Sequence, residues 1–287
     1  MTKQEQFAYA AGLMDAEGCF HASRNEHCNT FRHGITVNMD HAAPLRRLSG
    51  LFGGEVKPRK DGGFAWAVSK DNLRRCIESV QPYLLGKRQQ ADLLLEMRGT
   101  FENVTWKRGI APPPHVARKR HELTDKITAL KYVQGELTPL PTWKRGEMYA
   151  YVAGLCDGDG SFGVYRGQGN RYVPTVQIGM TDPTPVAFVE AMFGGTEGNI
   201  ESDIKKDVHQ LVLQRGMAAE LCKRTAPYRT LKHEQADIVV RLHNHIQLWK
   251  SRSTHGLPVN VIAKRQAWFE RTHFLNSLSV RAETNPS

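Results

Sequence analysis

A nine-residue pattern occurs twice in this chain, as Ala-Ala-Gly-Leu-Met-Asp-Ala-Glu-Gly at 10–18 and as Val-Ala-Gly-Leu-Cys-Asp-Gly-Asp-Gly at 152–160. Each copy ends a run of small and apolar residues with two acids. A helix through Tyr9, Ala11, Gly12 and Asp15, or through Tyr151, Ala153, Gly154 and Asp157, carries too few large side chains for an ordinary core helix. Its smooth face suits close backbone approach to another helix. If the copies pack on each other, their acidic ends meet. Glu17 and Asp159, expected just past the helix ends and each followed by Gly, then form a carboxylate pair supplied by distant segments. Such a pair suits a hard divalent cation, which binds through one or two carboxylates with substrate phosphate oxygens and water.

The repeat extends well beyond the motif. Period-two segments follow each copy, Cys19 to Asn25 with Phe31 to Met39, and Ser161 to Arg166 with Arg171 to Met180, and read as hairpins. Next come helical segments, Pro44 to Phe52 and Pro185 to Phe193, each closed by a Gly pair at 53–54 and 194–195. Further short strands are expected at Glu55 to Arg59 with Phe64 to Ser69, and at Gly198 to Glu201 with Val208 to Gln214. Then a Pro-Tyr segment at 82–83 and at 227–228 leads to Lys87 and Lys232, and helices begin near Gln90 and Gln235. The order helix–β–β–helix–β–β–helix therefore occurs in full twice. Prolines flank a short helix expected at Val116 to Tyr132, and the C-terminal apolar spacing of Val261, Ile262, Trp268, Phe269, Phe274 and Leu275 echoes it, so the duplicated unit is expected to include such a helix. The domains are expected at 1–108 and 146–287, joined by a linker with a short helix at 109–145.

At 287 residues the chain accommodates such a pair of domains. Its 39 Lys and Arg against 29 acids, a formal charge of +10, suit a polyanionic partner. Five scattered cysteines, at 19, 28, 76, 156 and 222, lack C-x-x-C spacing and indicate reduced intracellular thiols. His21, His27, Cys28 and His33 crowd together, but paired zinc-ligand spacing is missing and ordinary strand residues are the stronger reading. With no membrane-length apolar stretch and no signal-peptide core, a soluble, unsecreted protein is expected.

The two motifs and their matched surroundings resemble the LAGLIDADG family of homing endonucleases, in the form with two copies in one chain. The resemblance implies an α+β fold of two pseudo-symmetric αββαββα repeats. Each would offer a four-stranded antiparallel saddle to double-stranded DNA, the two packed through the motif helices. It implies that Glu17 and Asp159 bind the metal, Mg²⁺ with Mn²⁺ as a substitute and Ca²⁺ binding without cleavage, aided by the backbone of Ala16 and Gly158. The first copy departs from the family pattern in carrying Glu for Asp. Gly12, Asp15, Gly154 and Asp157 take structural roles at the helix interface, while Lys87 and Lys232 would stabilise the phosphate or orient water beside the carboxylates. Met39 and Met180 fall where the family often has a water-positioning Gln, leaving Asn38, Asp40, Gln177 or Asp182 as unranked substitutes.

Strand parity sends Phe20 and Ala22 toward the helices and selects as DNA-facing His21, Ser23, Asn25, Arg32, Thr36, Asn38, Lys57 and Arg59 in the first repeat. In the second repeat it selects Ser161, Tyr165, Thr175 and Gln177. The expected function is a monomeric, metal-dependent endonuclease making a double-strand break in a long, imperfectly palindromic site. Within the same family, an RNA maturase with intron RNA as partner, or a non-cutting DNA-binding regulator, are the alternatives. Retention of both acids and both lysines favours the nuclease.

Overall fold

A computed structural model describes residues 1–25, 30–102, 112–130, 137, 139–200, 208–250 and 257–284. The first repeat runs α1 (Lys3–Glu17), β1 (Gly18–Asn25), β2 (Thr30–Met39), α2 (Ala42–Phe52), β3 (Glu55–Pro58), β4 (Phe64–Val68), α3 (Asp71–Val80) and α4 (Arg88–Glu102), followed by α5 (Pro114–Ala129). The second runs α6 (Arg145–Asp159), β5 (Gly160–Gly167), β6 (Arg171–Met180), α7 (Pro183–Phe193), β7 (Thr196–Ile200), β8 (Val208–Gln214), α8 (Gly216–Thr225), α9 (His233–Trp249) and α10 (Val259–Thr284). Each repeat folds its strands into one antiparallel sheet, in the orders β1-β2-β4-β3 and β5-β6-β8-β7.

The motif helices α1 and α6 form the centre. Thr2 starts α1 through a capping box, its Oγ1 accepting from the Glu5 N–H while the Glu5 carboxylate accepts from the Thr2 N–H. From Ala8 to Asp15 and from Ala150 to Asp157 both helices are buried on every side, which ordinary amphipathic helices are not. Glycine makes this possible. A Cβ on Gly12 would lie 2.0 Å from the Tyr151 carbonyl oxygen, and one on Gly154 would lie 2.0 Å from that of Tyr9. Backbone therefore meets backbone, twice, in a pseudo-symmetric crossing.

Strand registers carry the two-faced pattern. Phe20, Ile35, Val37, Trp66 and Val68 are buried beneath the first sheet, and Phe162, Val176, Ile178, Leu211 and Leu213 beneath the second. The opposite faces are left for polar residues.

Three details differ from the sequence expectation. Glu17 and Asp159 are the last residues of α1 and α6 rather than lying beyond them. The helices α3 and α8 stand between the last strand of each repeat and its Pro-Tyr segment; the apolar set Leu73, Cys76, Ile77 and Val80 is the i, i+3, i+4, i+7 signature that marks the first of them. Finally, α5 is packed structure of the first repeat rather than a feature of a linker. It lies against α4 and β1 and buries Leu123 and Ile127 in the main core, while its Arg120 bonds to Thr100 and stacks on Phe101. In the second repeat α10 packs on β5 and α9.

Candidate active site

The crossing of α1 and α6 brings their acidic ends together. A Cβ on Gly158 would lie 2.5 Å from the Ala16 Cβ and 3.1 Å from the Glu17 Cγ, so the two helix ends touch. Burial and the neighbouring Asp159, with a smaller push from Asp40, raise the Glu17 pKa to about 7, against the pull of Lys87 and Lys232. Asp159 is solvent-exposed, yet the protein packed around it also pushes it upward, and the same two lysines oppose this. Two carboxylates that repel each other where two helix C-termini converge form a site of excess negative charge. That donor set fits a hard divalent cation. Among the described residues no group of three or more His, Cys, Asp or Glu gathers to hold a metal, so the cation's remaining ligands would be water and substrate oxygens.

The lysines take a place that spacing did not reveal. Lys87 Nζ donates to the carbonyls of Met14 (2.9 Å), Asp15 (2.7 Å) and Ala16 (3.1 Å). Lys232 Nζ lies within bonding distance of the carbonyls of Cys156 (3.0 Å), Asp157 (3.3 Å), Gly158 (3.0 Å) and Gly160 (2.7 Å). An ammonium has three protons, so each lysine is fully used in closing the C-terminus of its motif helix. In this arrangement neither ammonium has a proton left to point outward, and the Ala16 and Gly158 carbonyls each accept one lysine proton while keeping a second lone pair. Burial lowers both lysine pKa values, while the nearby acids support the charged forms.

Asp15 and Asp157 connect these lysines to the helix crossing. Asp15 accepts from the backbone N–H of Leu85 and of Lys87, each at 2.8 Å, and from the Tyr151 hydroxyl of the other motif helix at 2.8 Å. Asp157 accepts from the N–H of Thr230 (2.6 Å) and of Leu231 (3.1 Å), and from the Tyr9 hydroxyl at 2.7 Å. Burial pushes both aspartates upward, and these hydrogen bonds oppose the push. Each aspartate thus ties its own lysine loop to the opposite repeat. Gly12 and Gly154 supply the close approach that lets the tyrosines reach.

Beside this centre a cavity of about 440 Å³ is lined by Asp15, Cys19, Lys87, Gln90, Asp159 and Asp182, among others. Met39 is buried and is not part of that lining; Met180 lines the cavity although largely buried, and its thioether is too weak an acceptor to position water as an amide would. Asp182 caps α7, accepting from the Thr184 N–H at 2.9 Å. Asn38 and Gln177 are exposed on the open sheet faces.

Register defines those faces. In the first sheet Ser23 pairs with Arg32, His21 with Gly34 and Cys19 with Thr36. Thr36 continues to Ala67 and Glu55, and Asn38 to Ala65 and Lys57. The expected His21, Ser23, Arg32, Thr36, Asn38 and Lys57 therefore share one face. The side chain of Asn25 lies outside the described residues, as do His27 and Cys28 of the weighed zinc cluster. His33 is on the opposite face from His21, stacked on Phe101, which separates the remaining members of that cluster. Arg59 falls just beyond β3 and bonds to Asp61. In the second sheet Ser161 pairs with Gln177 and Tyr165 with Val173. Tyr165 is 62% exposed. Thr175 is on this face but is only 7% exposed, its hydroxyl turned onto the Val173 carbonyl, so it does not present itself as expected. Register also adds residues the sequence reading missed: Gln210, opposite Gly179, and Gln214, opposite Thr175. Continuing the strand parity from Gln177 across the pairing would have found both.

The fold is that of LAGLIDADG meganucleases. The structure superposes on the LAGLIDADG meganuclease I-AabMI bound to uncleaved DNA with a TM-score of 0.69, at 15% identity, covering 92% of this chain and 98% of that one. On I-SmaMI, bound to an uncleaved DNA target in the presence of calcium ions, the TM-score is 0.61 at 17% identity, covering 92% and 97%. The DNA endonuclease I-CvuI of Chlorella vulgaris is 28% identical over 136 residues, which span 44% of this chain and 80% of that protein. No protein-family model matches the sequence. The fold is thus shared with these meganucleases, and the sequence similarity to I-CvuI falls on a chain that carries the motif twice.

Proposed function

We propose that the protein is a divalent-metal-dependent endonuclease that makes a double-strand break in a long, imperfectly palindromic DNA site. The observation that carries this reading is the meeting of Glu17 and Asp159 where the two motif helices end between two four-stranded saddles. The I-CvuI relative is a DNA endonuclease, and the I-AabMI and I-SmaMI neighbours bind DNA, the latter with calcium ions present. A net charge of +10 suits a phosphate backbone. The two-repeat architecture supports a monomer that supplies both half-sites itself.

In this reading Glu17 and Asp159 would hold Mg²⁺, which would supply Lewis-acid activation of water and neutralise developing phosphate charge. Lys87 and Lys232 hold the helix-end carbonyls in place and help to keep the two carboxylates ionised. Asp15 and Asp157 fix the loops that carry those lysines. The open faces set the register on the duplex through phosphate contacts and read base edges in the major groove.

Selection of bound and cleaved duplexes from a randomised library, with Mg²⁺ and then with Ca²⁺, tests the proposal. Cleavage with Mg²⁺ and binding alone with Ca²⁺ are expected. Glu17→Gln and Asp159→Asn should each abolish cutting and leave binding nearly intact; a double variant that still cuts would sink the metal assignment. Tight binding to structured RNA with no duplex cut would instead point to a maturase. Among the described residues no helix is long and apolar enough to cross a membrane.

A further inference from the structure

The two lysine loops are held by different chemistry. Around the first, Tyr83 to Lys87, the ring of Trp143 lies 5.3 Å from Tyr83, 5.4 Å from Tyr151 and 5.2 Å from Phe188. Phe188 in turn meets Tyr151 edge-on at 5.5 Å. Aligning Pro44 of α2 with Pro185 of α7 places Arg47 at the position of Phe188. Arg47 does on its side what Phe188 does on the other, lying over Tyr9 at 3.7 Å. It also does something Phe188 cannot: its Nη1 donates to the Tyr228 carbonyl at 2.8 Å and to the Thr230 hydroxyl oxygen at 3.3 Å. Tyr9, whose single proton goes to Asp157, accepts from the same Thr230 hydroxyl at 2.9 Å.

The second loop needs such a hold. Lys232 sits in the left-handed backbone region (φ 57°), which side-chain-bearing residues enter only at a cost, and Lys87 does not. The Lys232 ammonium must nevertheless meet the end of α6, one residue from Asp159. Arg47 belongs to the first repeat and the loop to the second, so the contact braces one repeat's active-site loop from the other.

We infer that Arg47 is a positioning residue for the second half-site: through Tyr228 and Thr230 it adds a hydrogen-bonded brace to the loop that sets the Asp159 end of the site, whereas the equivalent position of the first half-site contributes only ring contacts beside the Asp15 bonds. This rests on the endonuclease reading. Its consequence is strand-specific, because loss of the brace disturbs one helix end and leaves the Lys87 and Glu17 end in place.

The test uses the full chain and a supercoiled plasmid carrying a selected target, with each strand labelled. Arg47→Ala should slow one particular strand by about tenfold to a hundredfold, the scale expected when a site is displaced from a distance, and nicked circles should accumulate. Arg47→Lys should restore part of the rate. Thr230→Val, which removes the hydroxyl acceptor and leaves Arg47 in place, should slow the same strand and decides the matter if Arg47→Ala does not fold. Phe188→Ala should not reproduce that strand bias. Variants that slow both strands alike, or neither, overturn the inference alone. A wild-type protein that cuts no duplex overturns the endonuclease reading and this inference with it.

Discussion

The two repeats agree most closely where they touch and diverge outward. At the crossing, Gly12 answers Gly154, Asp15 answers Asp157, and each tyrosine bonds to the other repeat's aspartate. One layer out, the lysines still match, while their loops are braced by an arginine on one side and by rings on the other. On the open faces the match is lost. The row level with Glu17 reads Asn38, Ala65, Lys57; the equivalent row level with Asp159 reads Gly179, Gln210, Gly198. Polar side chains flank a small one in the first repeat, and small residues flank a polar one in the second. A backbone contact and a buried ionisable group tolerate little change, whereas a solvated strand face accepts whatever its ligand requires.

The largest test strikes the shared centre. Gly12→Ala and Gly154→Ala should each cost about 4 kcal/mol or more in urea unfolding, and by nearly equal amounts, because each drives a Cβ into a carbonyl. Unequal losses would break the symmetry argued for the crossing. Next come the tyrosines. Tyr9→Phe removes bonds to both Asp157 and Thr230, and Tyr151→Phe removes one to Asp15. Losses of about 3 and about 2 kcal/mol are expected, on the scale of hydrogen bonds to charged groups.

A smaller effect separates the carboxylates by pH. Glu17 is raised from its ordinary 4.5 to about 7, so the folded protein binds the proton more tightly than the unfolded chain. Without divalent metal, stability should therefore fall as pH rises from 4.5 through 7, by about 1–2 kcal/mol after solvent screening. Metal should cancel the loss by favouring the ionised pair. Unfolding curves of Glu17→Gln should show a flatter pH dependence; an unchanged slope would remove Glu17 as its source. The smallest effect lies on the open faces. Gln210→Ala should relax base preference at one position of one half-site by about 1 kcal/mol, with adenine the base most affected. Target profiling of Ala65→Gln should add a preference in the other half.

Much of this was legible in the sequence because the repeat supplied two readings of every feature. The doubled motif, the paired Gly-Gly stops and the matched Pro-Tyr segments mark the fold and bring Glu17 and Asp159 together. What stayed hidden depended on contacts between distant segments. Nothing in the spacing of Lys87 shows that its ammonium folds back on the end of α1. Arg47 reads as an ordinary polar helix residue until Tyr9 and Thr230 are seen beside it. Thr175 obeys the parity of an exposed face but spends its hydroxyl on a neighbouring carbonyl. In contrast, α3 was present as apolar spacing and needed only a closer count.

The crossed Tyr–Asp bonds set a rule for recombination. A tyrosine on one motif helix serves an aspartate on the other, and the same exchange runs in reverse. Each repeat therefore carries both members of a self-complementary lock, as an isologous interface does. A chimera joining halves from two such chains keeps the lock if each contributes its Tyr and its Asp, whatever bases the halves read. The first repeat, fused to a copy of itself, would meet the same condition and would bring Glu17 to both sides.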